Sequence, residues 1–257
     1  GFTVASYDKT KDLIIDPLLA STFLGGSSYN YANVIAVDSS GNIYVAGNTS
    51  SSDFPITTGA YDTAYNGSDS YGSGDTFVSK LNGDLASLIA STYLGGSSSE
   101  YANSIAVDKD GNIYVSGYTL SADFPTISGA YDTSYNGGDY DGDVFVSKLN
   151  GNLTSLMAST YVGGTNSDYS YSIAIDSNGN ICMTGQTDSS DFPITTGTYD
   201  TSSDPSGYND AFVSRLNSDL TTLLASTFLG GTNGEGGNSI TIDSSGNIYV
   251  TGWTSSS

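Results

Sequence analysis

Short runs of alternating apolar and polar residues follow one another along the chain, separated by clusters of Gly, Asn, Asp and Ser. In the run ending at Asp38, Ile35 and Val37 alternate with Val34 and Ala36. Its copies keep Ile or Val on one face. They place Ser104, Ala106, Ser172, Ala174, Ser239 and Thr241 on the other. Period two with β-branched residues predicts a strand. The small residues predict close approach between sheets. Asp38-Ser-Ser-Gly41-Asn42 then reads as a hairpin turn, with Gly41 at positive φ and Asp38 capping. The pattern predicts strands over 33–38, 42–49, 76–82 and 86–94. Residues 84–90 also fit a short helix with Asp84 as N-cap, but the repeat context favours a strand.

These runs recur. Ser-Thr-Phe-Leu-Gly-Gly at 21–26 returns at 91–96, 159–164 and 226–231, at offsets of 70, 68 and 67 residues. The block beginning Ile35-Ala-Val-Asp38 returns from Ile105, Ile173 and Ile240. Phe77-Val-Ser-Lys80-Leu-Asn82 returns at 145–150 and 212–217, and Asp53-Phe54-Pro55 at 123–125 and 191–193. Four short antiparallel strands per repeat, in series, predict propeller blades; β-solenoid coils are usually shorter than this repeat.

The expected fold is all-β: a four-bladed β-propeller of four-stranded antiparallel blades, one domain over 1–257. Full blades fall at 33–94, 103–162 and 171–229. Residues 1–24 supply an outer half-blade and 238–257 an inner one, so the last blade is shared between the termini. If the Phe77 strand were innermost instead, the chain would hold four intact blades, and periodicity alone leaves this phase open. The long connections at 50–75, 120–143 and 188–210, with 95–103 and its copies, are expected on one face, where function on a rigid scaffold usually sits.

Ser-Thr-Tyr-Leu-Gly-Gly, Ile-Ala-Val-Asp-x-x-Gly-Asn-Ile-Tyr-Val-x-Gly, Asp-Phe-Pro and Phe-Val-Ser-Lys-Leu together resemble the SBBP β-propeller repeat over residues 18–257. The middle block also resembles the NHL propeller repeat. That resemblance implies that Ile35–Asp38 and its copies are the innermost strands, lining the axis.

Charge narrows the function. Six Lys and Arg face 27 Asp and Glu, a formal net charge of −21. Such a surface repels nucleic acid and anionic membranes, so neither is an expected partner. Glu100 and Glu235 are the only glutamates; the aspartates suit turns, which places the acid in loops. No run of 18 apolar residues occurs. Cys182 is the only cysteine and stands where other copies have Tyr44, Tyr114 and Tyr249, so it reads as a buried strand residue. The chain opens on Gly1, which suggests a processed or excised form.

There is no histidine, which removes His-based triads and the commonest zinc sites, and an enzyme is not expected. Asp139, Asp141 and Asp143 alternate in a glycine-rich loop, a pattern that can converge on Ca²⁺. Asp69 and Asp75, and Asp204 and Asp210, are the matching acids of the other loops. Asp75, Asp143 and Asp210 each precede a third strand, which also suits a structural cap. Structural calcium is the cofactor expectation. Lys80, Lys148 and Arg215 occupy one position per blade and are expected to pair with a carboxylate of the same blade, with Asp53, Asp123 and Asp191 as candidates. Tyr65, Tyr71, Tyr135, Tyr140 and Tyr208 lie in the long loops, as do Tyr61, Tyr131 and Tyr199. Mixed with Asp and Asn they suit stacking on sugars, protein contacts, or packing of the loop on itself. Asn48, Asn66 and Asn152 head glycosylation sequons.

The resulting expectation is a structural propeller, extracellular or at the cell surface, that assembles with copies of itself or with other surface proteins as a filament or surface layer. The rival expectation is a lectin-like adhesion module that binds glycans on the Tyr/Asp-rich loop face.

Overall fold

A computed structural model describes residues 10, 20–67, 74–138, 142–203 and 207–257. Among the described residues are fourteen strands and no helix. The first sheet holds β1 (Asn30–Val37), β2 (Ile43–Thr49), β3 (Asp75–Leu81) and β4 (Leu88–Leu94), hydrogen-bonded in that order. The second holds β5 (Glu100–Val107), β6 (Ile113–Thr119), β7 (Asp143–Leu149) and β8 (Leu156–Val162). The third holds β9 (Asp168–Ile175), β10 (Ile181–Thr187), β11 (Asp210–Leu216) and β12 (Leu223–Leu229). β13 (Glu235–Ile242) and β14 (Ile248–Thr254) pair alone as a two-stranded sheet. All pairings are antiparallel.

The four sheets are successive blades. β1, β5, β9 and β13 are the strands that meet across blade boundaries, which settles the phase: the Ile35 strand and its copies are innermost. The small residues of these strands do more than permit close approach. The Ile173 amide donates to Ser104 Oγ (3.0 Å), and the Ile240 amide to Ser172 Oγ (3.2 Å). Asn33 Nδ2 reaches the Ala102 carbonyl and Asn103 Nδ2 the Ser170 carbonyl, at 3.1 and 2.9 Å. Apolar packing completes each boundary. Ile105 shares one core cluster with Ala46, Val78 and Ala90 of the first blade, and Ile173 another with Val144, Val146 and Ala158 of the second.

The turn chemistry is as read. Asp38 Oδ1 accepts from the Ser40 and Asn42 amides, and Asp108, Asp176 and Asp243 repeat the arrangement. Of the stretch 84–90 that also fitted a helix, residues 84–87 form a turn and 88–90 open β4; Leu85, Leu153 and Leu220 each sit at φ 56° between the third and fourth strands. The phenylalanine of each Asp-Phe-Pro turn is core. Phe54, Phe124 and Phe192 lie 4.3, 4.6 and 4.5 Å from the rings of Phe77, Phe145 and Phe212.

Two expectations need correction. The long loops do not simply crown one face. In the first blade the Thr57 amide donates to the Ser91 carbonyl and the Tyr93 amide to the Asp62 carbonyl, so the loop lies along the outer edge of β4. Ile127 and Asp132 do the same for β8, and Thr195 and Asp200 for β12. An unpaired strand edge invites pairing with another chain, and this strap removes it. The acid, moreover, is not confined to loops: Asp75, Asp143, Asp210, Glu100, Asp168 and Glu235 are buried at the first residue of a strand.

The expected outer half-blade at 1–24 falls mostly outside the described residues. Its described end, residues 20–24, forms no strand, and Phe23 is fully exposed where Tyr93, Tyr161 and Phe228 of the repeats are buried.

Candidate functional site

The blades present two chemically different ends. At the tight-turn end, β2–β3 register places Lys80 beside Tyr44, next to the turn that Asp38 caps. Lys80 Nζ lies 3.8 Å from Asp38, 4.9 Å from the Tyr44 ring centre and 3.2 Å from the Gly151 carbonyl of the next blade. Lys148 repeats this with Asp108 (3.9 Å) and Tyr114 (5.0 Å). In the third blade Arg215 pairs with Asp176, and Cys182 takes the tyrosine position. The repeated cation therefore pairs within its own blade as expected, but with Asp38, Asp108 and Asp176 rather than Asp53, Asp123 and Asp191. The latter three accept instead from the amide and hydroxyl of Ser27, Ser97 and Thr165. Between the second and third blades this end opens into a polar cleft of about 440 Å³ lined by Asp108, Lys148 and Asp176. Cys182 is 1% exposed, and burial pushes its thiol up to about 11.

At the other end, carboxylates of neighbouring blades converge. Asp75, which opens β3, and Glu100, which opens β5, close on Gly95. A Cβ on Gly95 would stand 2.5 Å from Glu100 Oε2 and 2.7 Å from Asp75 Oδ1, so glycine alone leaves the two carboxylates room to face each other. Asp143 and Asp168 repeat the arrangement around Gly163, at 2.7 and 2.9 Å. All four side chains are fully buried. Asp75 Oδ2 accepts the Asn66 amide and Asp143 Oδ2 the Asn136 amide, which ties down the long loops. Glu100 Oε1 accepts from Thr119 and Ser121, and Asp168 Oδ2 from Gly164 and Ser189. Asp75 Oδ1, Glu100 Oε2, Asp143 Oδ1 and Asp168 Oδ1 have no hydrogen-bond partner. Burial pushes these carboxyls up to about 7, 8, 6 and 7 respectively. Asp210 and Glu235 meet likewise at Gly230, where Gly231 and Thr254 satisfy the glutamate.

Of the expected calcium residues, Asp75, Asp143 and Asp210 thus point into blade junctions, whereas Asp69, Asp139, Asp141 and Asp204 lie outside the described residues. Among the described residues, no group of three or more acidic, histidine or cysteine side chains converges. Glu100 and Asp168 escaped the sequence reading. Their signal was the repeat itself: Asn30, Glu100, Asp168 and Glu235 occupy one position, and it holds both glutamates of the chain.

The tyrosines divide. Tyr65 and Tyr135 pack edge-on against Tyr93 and Tyr161, at 6.0 and 5.9 Å, so they anchor loops. Tyr208 is exposed; Tyr71 and Tyr140 lie outside the described residues. Asn48 is corrected as a glycosylation candidate. It is buried within β2 and accepts from Asn33, which closes it to an oligosaccharide in the folded chain. Asn66 and Asn152 are exposed.

The two ends of the row of blades form a third candidate surface. Ile105, Ile173 and Ile240 are 7%, 7% and 6% exposed because each packs on the preceding blade; Ile35, their counterpart in β1, is 63% exposed. At the far end Tyr249 of β14 is 54% exposed, against 1% for Tyr44 and Tyr114. These are the two halves of the contact that the chain makes three times internally.

Repeated four-stranded antiparallel blades meeting along their innermost strands define a β-propeller. The Beta-propeller repeat family, SBBP, matches at residues 21–55, 91–125, 159–193 and 226–257, a little over half of the chain. The chain belongs to this family. A search of curated proteins returns no match.

Proposed function

We propose that the protein is a non-catalytic structural propeller of the cell exterior that assembles with copies of itself. The exposure of Ile35, set against the burial of Ile105, Ile173 and Ile240, carries this reading. A blade face that is buried three times and bare once calls for a fourth partner, and Tyr249 marks the complementary bare face. Two different faces that fit each other make a head-to-tail contact, which propagates as a ring or a filament. The absence of histidine and the burial of the only thiol support a role without catalysis. The acidic, Gly-, Ser-, Thr- and Asp-rich composition supports an exterior location.

The test is light scattering and negative-stain microscopy of the purified chain across a concentration series, beside Ile35→Asp. Concentration-dependent assemblies that the substitution abolishes, with the blades still folded by circular dichroism, are expected. A wild-type chain that stays monomeric throughout overturns the proposal.

A further inference from the structure

The paired carboxylates between blades are an unusual burden for a fold with so few cations. All four described basic side chains pair at the tight-turn end, with Asp38, Asp108, Asp110 and Asp176. None of these four described cations is left for the opposite end, where Asp75 faces Glu100 and Asp143 faces Asp168. The charges of Asp62 and Asp123 add to the repulsion on Asp75, and those of Asp132 and Asp191 to that on Asp143. A buried acceptor oxygen is ordinarily hydrogen-bonded, yet four carboxylate oxygens, one from each member of both pairs, have no donor in good hydrogen-bonding geometry; the Gly96 amide and the Thr187 hydroxyl only approach the Glu100 and Asp168 carboxyls. At Gly95 the two oxygens nearest the glycine are the orphaned Asp75 Oδ1 and Glu100 Oε2; at Gly163, one blade further on, they are the orphaned Asp143 Oδ1 and Asp168 Oδ2, which already accepts from Gly164 and Ser189.

We propose that each of these two junctions binds one calcium ion, held between the carboxylate that opens the third strand of one blade and the carboxylate that opens the first strand of the next. The donors are all oxygen, which suits a hard cation rather than zinc or copper. Ca²⁺ takes six to eight oxygens in irregular arrangements, whereas Mg²⁺ demands a near-ideal octahedron and gives up its waters reluctantly. Carboxylates fixed by separate strands, one also holding the Asn66 or Asn136 amide, favour the tolerant ion. The ion relieves the like-charge repulsion, satisfies the orphaned oxygens and fastens one blade to the next. This placement differs from a calcium loop: Asp139 and Asp141 are not required for it. In β1 the equivalent residue is Asn30, whose amide donates to the Gly26 and Ser28 carbonyls, so a neutral side chain there needs no ion.

The experiment uses the full chain, stripped with chelator and titrated with CaCl₂ by calorimetry and by equilibrium dialysis at neutral pH and constant ionic strength. Saturable uptake and a rise in Tm that MgCl₂ at the same concentration does not match are expected. Glu100→Gln and Asp168→Asn are each expected to lose one equivalent, and the double variant both. Should Glu100→Gln fail to fold, Asp75→Asn at the same junction carries the same expectation. Uptake that is undiminished in the double variant places the calcium in the long loops and overturns the proposal. No saturable uptake, with the same Tm in chelator and in CaCl₂, also overturns it, and leaves each pair sharing a proton.

Discussion

Matched truncations at equivalent positions test whether the bare face of the first blade has a partner. Ile105→Ala removes buried carbon from the boundary of the first two blades, where the side chain is 7% exposed. Truncations of this kind leave a cavity and cost about 2–4 kcal/mol. Ile35→Ala makes the same chemical change on a side chain that is 63% exposed. Within an isolated chain most of that surface already faces water, so the loss is about 0.5 kcal/mol. Urea unfolding at several protein concentrations separates the cases. A partner that binds only the folded chain adds stability that grows with its concentration. The cost of Ile35→Ala is therefore expected to be small in dilute solution and to approach that of Ile105→Ala as the chain assembles, while the latter stays constant. A cost of about 3 kcal/mol for Ile35→Ala in solutions where light scattering finds only monomers would refute the reasoning. It would show that the face is covered within one chain.

Other substitutions probe single features. Gly111→Val is expected to lower stability by more than about 1 kcal/mol in thermal unfolding, because Gly111 sits at φ 81° and its added Cβ meets no atom within 4 Å; the cost is backbone strain alone, and an unchanged Tm would remove that account. Ser147→Ala is expected to cost about 1–2 kcal/mol in urea unfolding, since the buried hydroxyls of Ser147 and Ser159 bond each other at 2.9 Å. With its thiol pushed up to about 11, Cys182 stays protonated as well as buried at mildly alkaline pH, so a disulfide reagent is expected to label it only after unfolding. Chelator removal of calcium is expected to lower the Tm of the wild type and to leave that of the Glu100→Gln, Asp168→Asn double variant nearly unmoved.

Much of the architecture was legible because local chemistry and repetition agreed. The alternation around Ile35, the Asp38 turn and the recurrence at near-constant offsets all demanded the same hairpin. The partners of Lys80, Lys148 and Arg215 were not legible. Which aspartate a β3 lysine meets depends on register: pairing with Tyr44 draws Lys80 towards Asp38 and away from Asp53. The junction carboxylates were half legible. Asp75 and Asp143 stood out as strand-opening acids, but their partners lie 25 residues further on, across a blade boundary. Only packing between blades brings Glu100 to Asp75, and strand periodicity says nothing about which ends of neighbouring sheets touch. The path of the long loops was hidden for a related reason. The bonds from Thr57 to Ser91 and from Tyr93 to Asp62 are backbone bonds, and the hydroxyls that reinforce them, Thr57 on Ser91 and Thr92 on Asp62, are threonines whose distant partners no strand periodicity reveals.

The straps along β4, β8 and β12 bear on how a row of these blades would behave as a material. With these three outer edges sealed, the complete blades cannot be stitched edge to edge into a widening ribbon; β14, bonded only to β13 among the described strands, keeps an open edge, and growth elsewhere runs through the blade faces. Tension along such a thread would not shear strands past one another. It would peel one face from the next, opposed by packing such as that of Ile105 and by the bonds between blades, among them those donated by Asn33, Asn103 and Lys80 and those accepted by Ser104 and Ser172. The thread would lengthen in discrete steps, each releasing one whole blade.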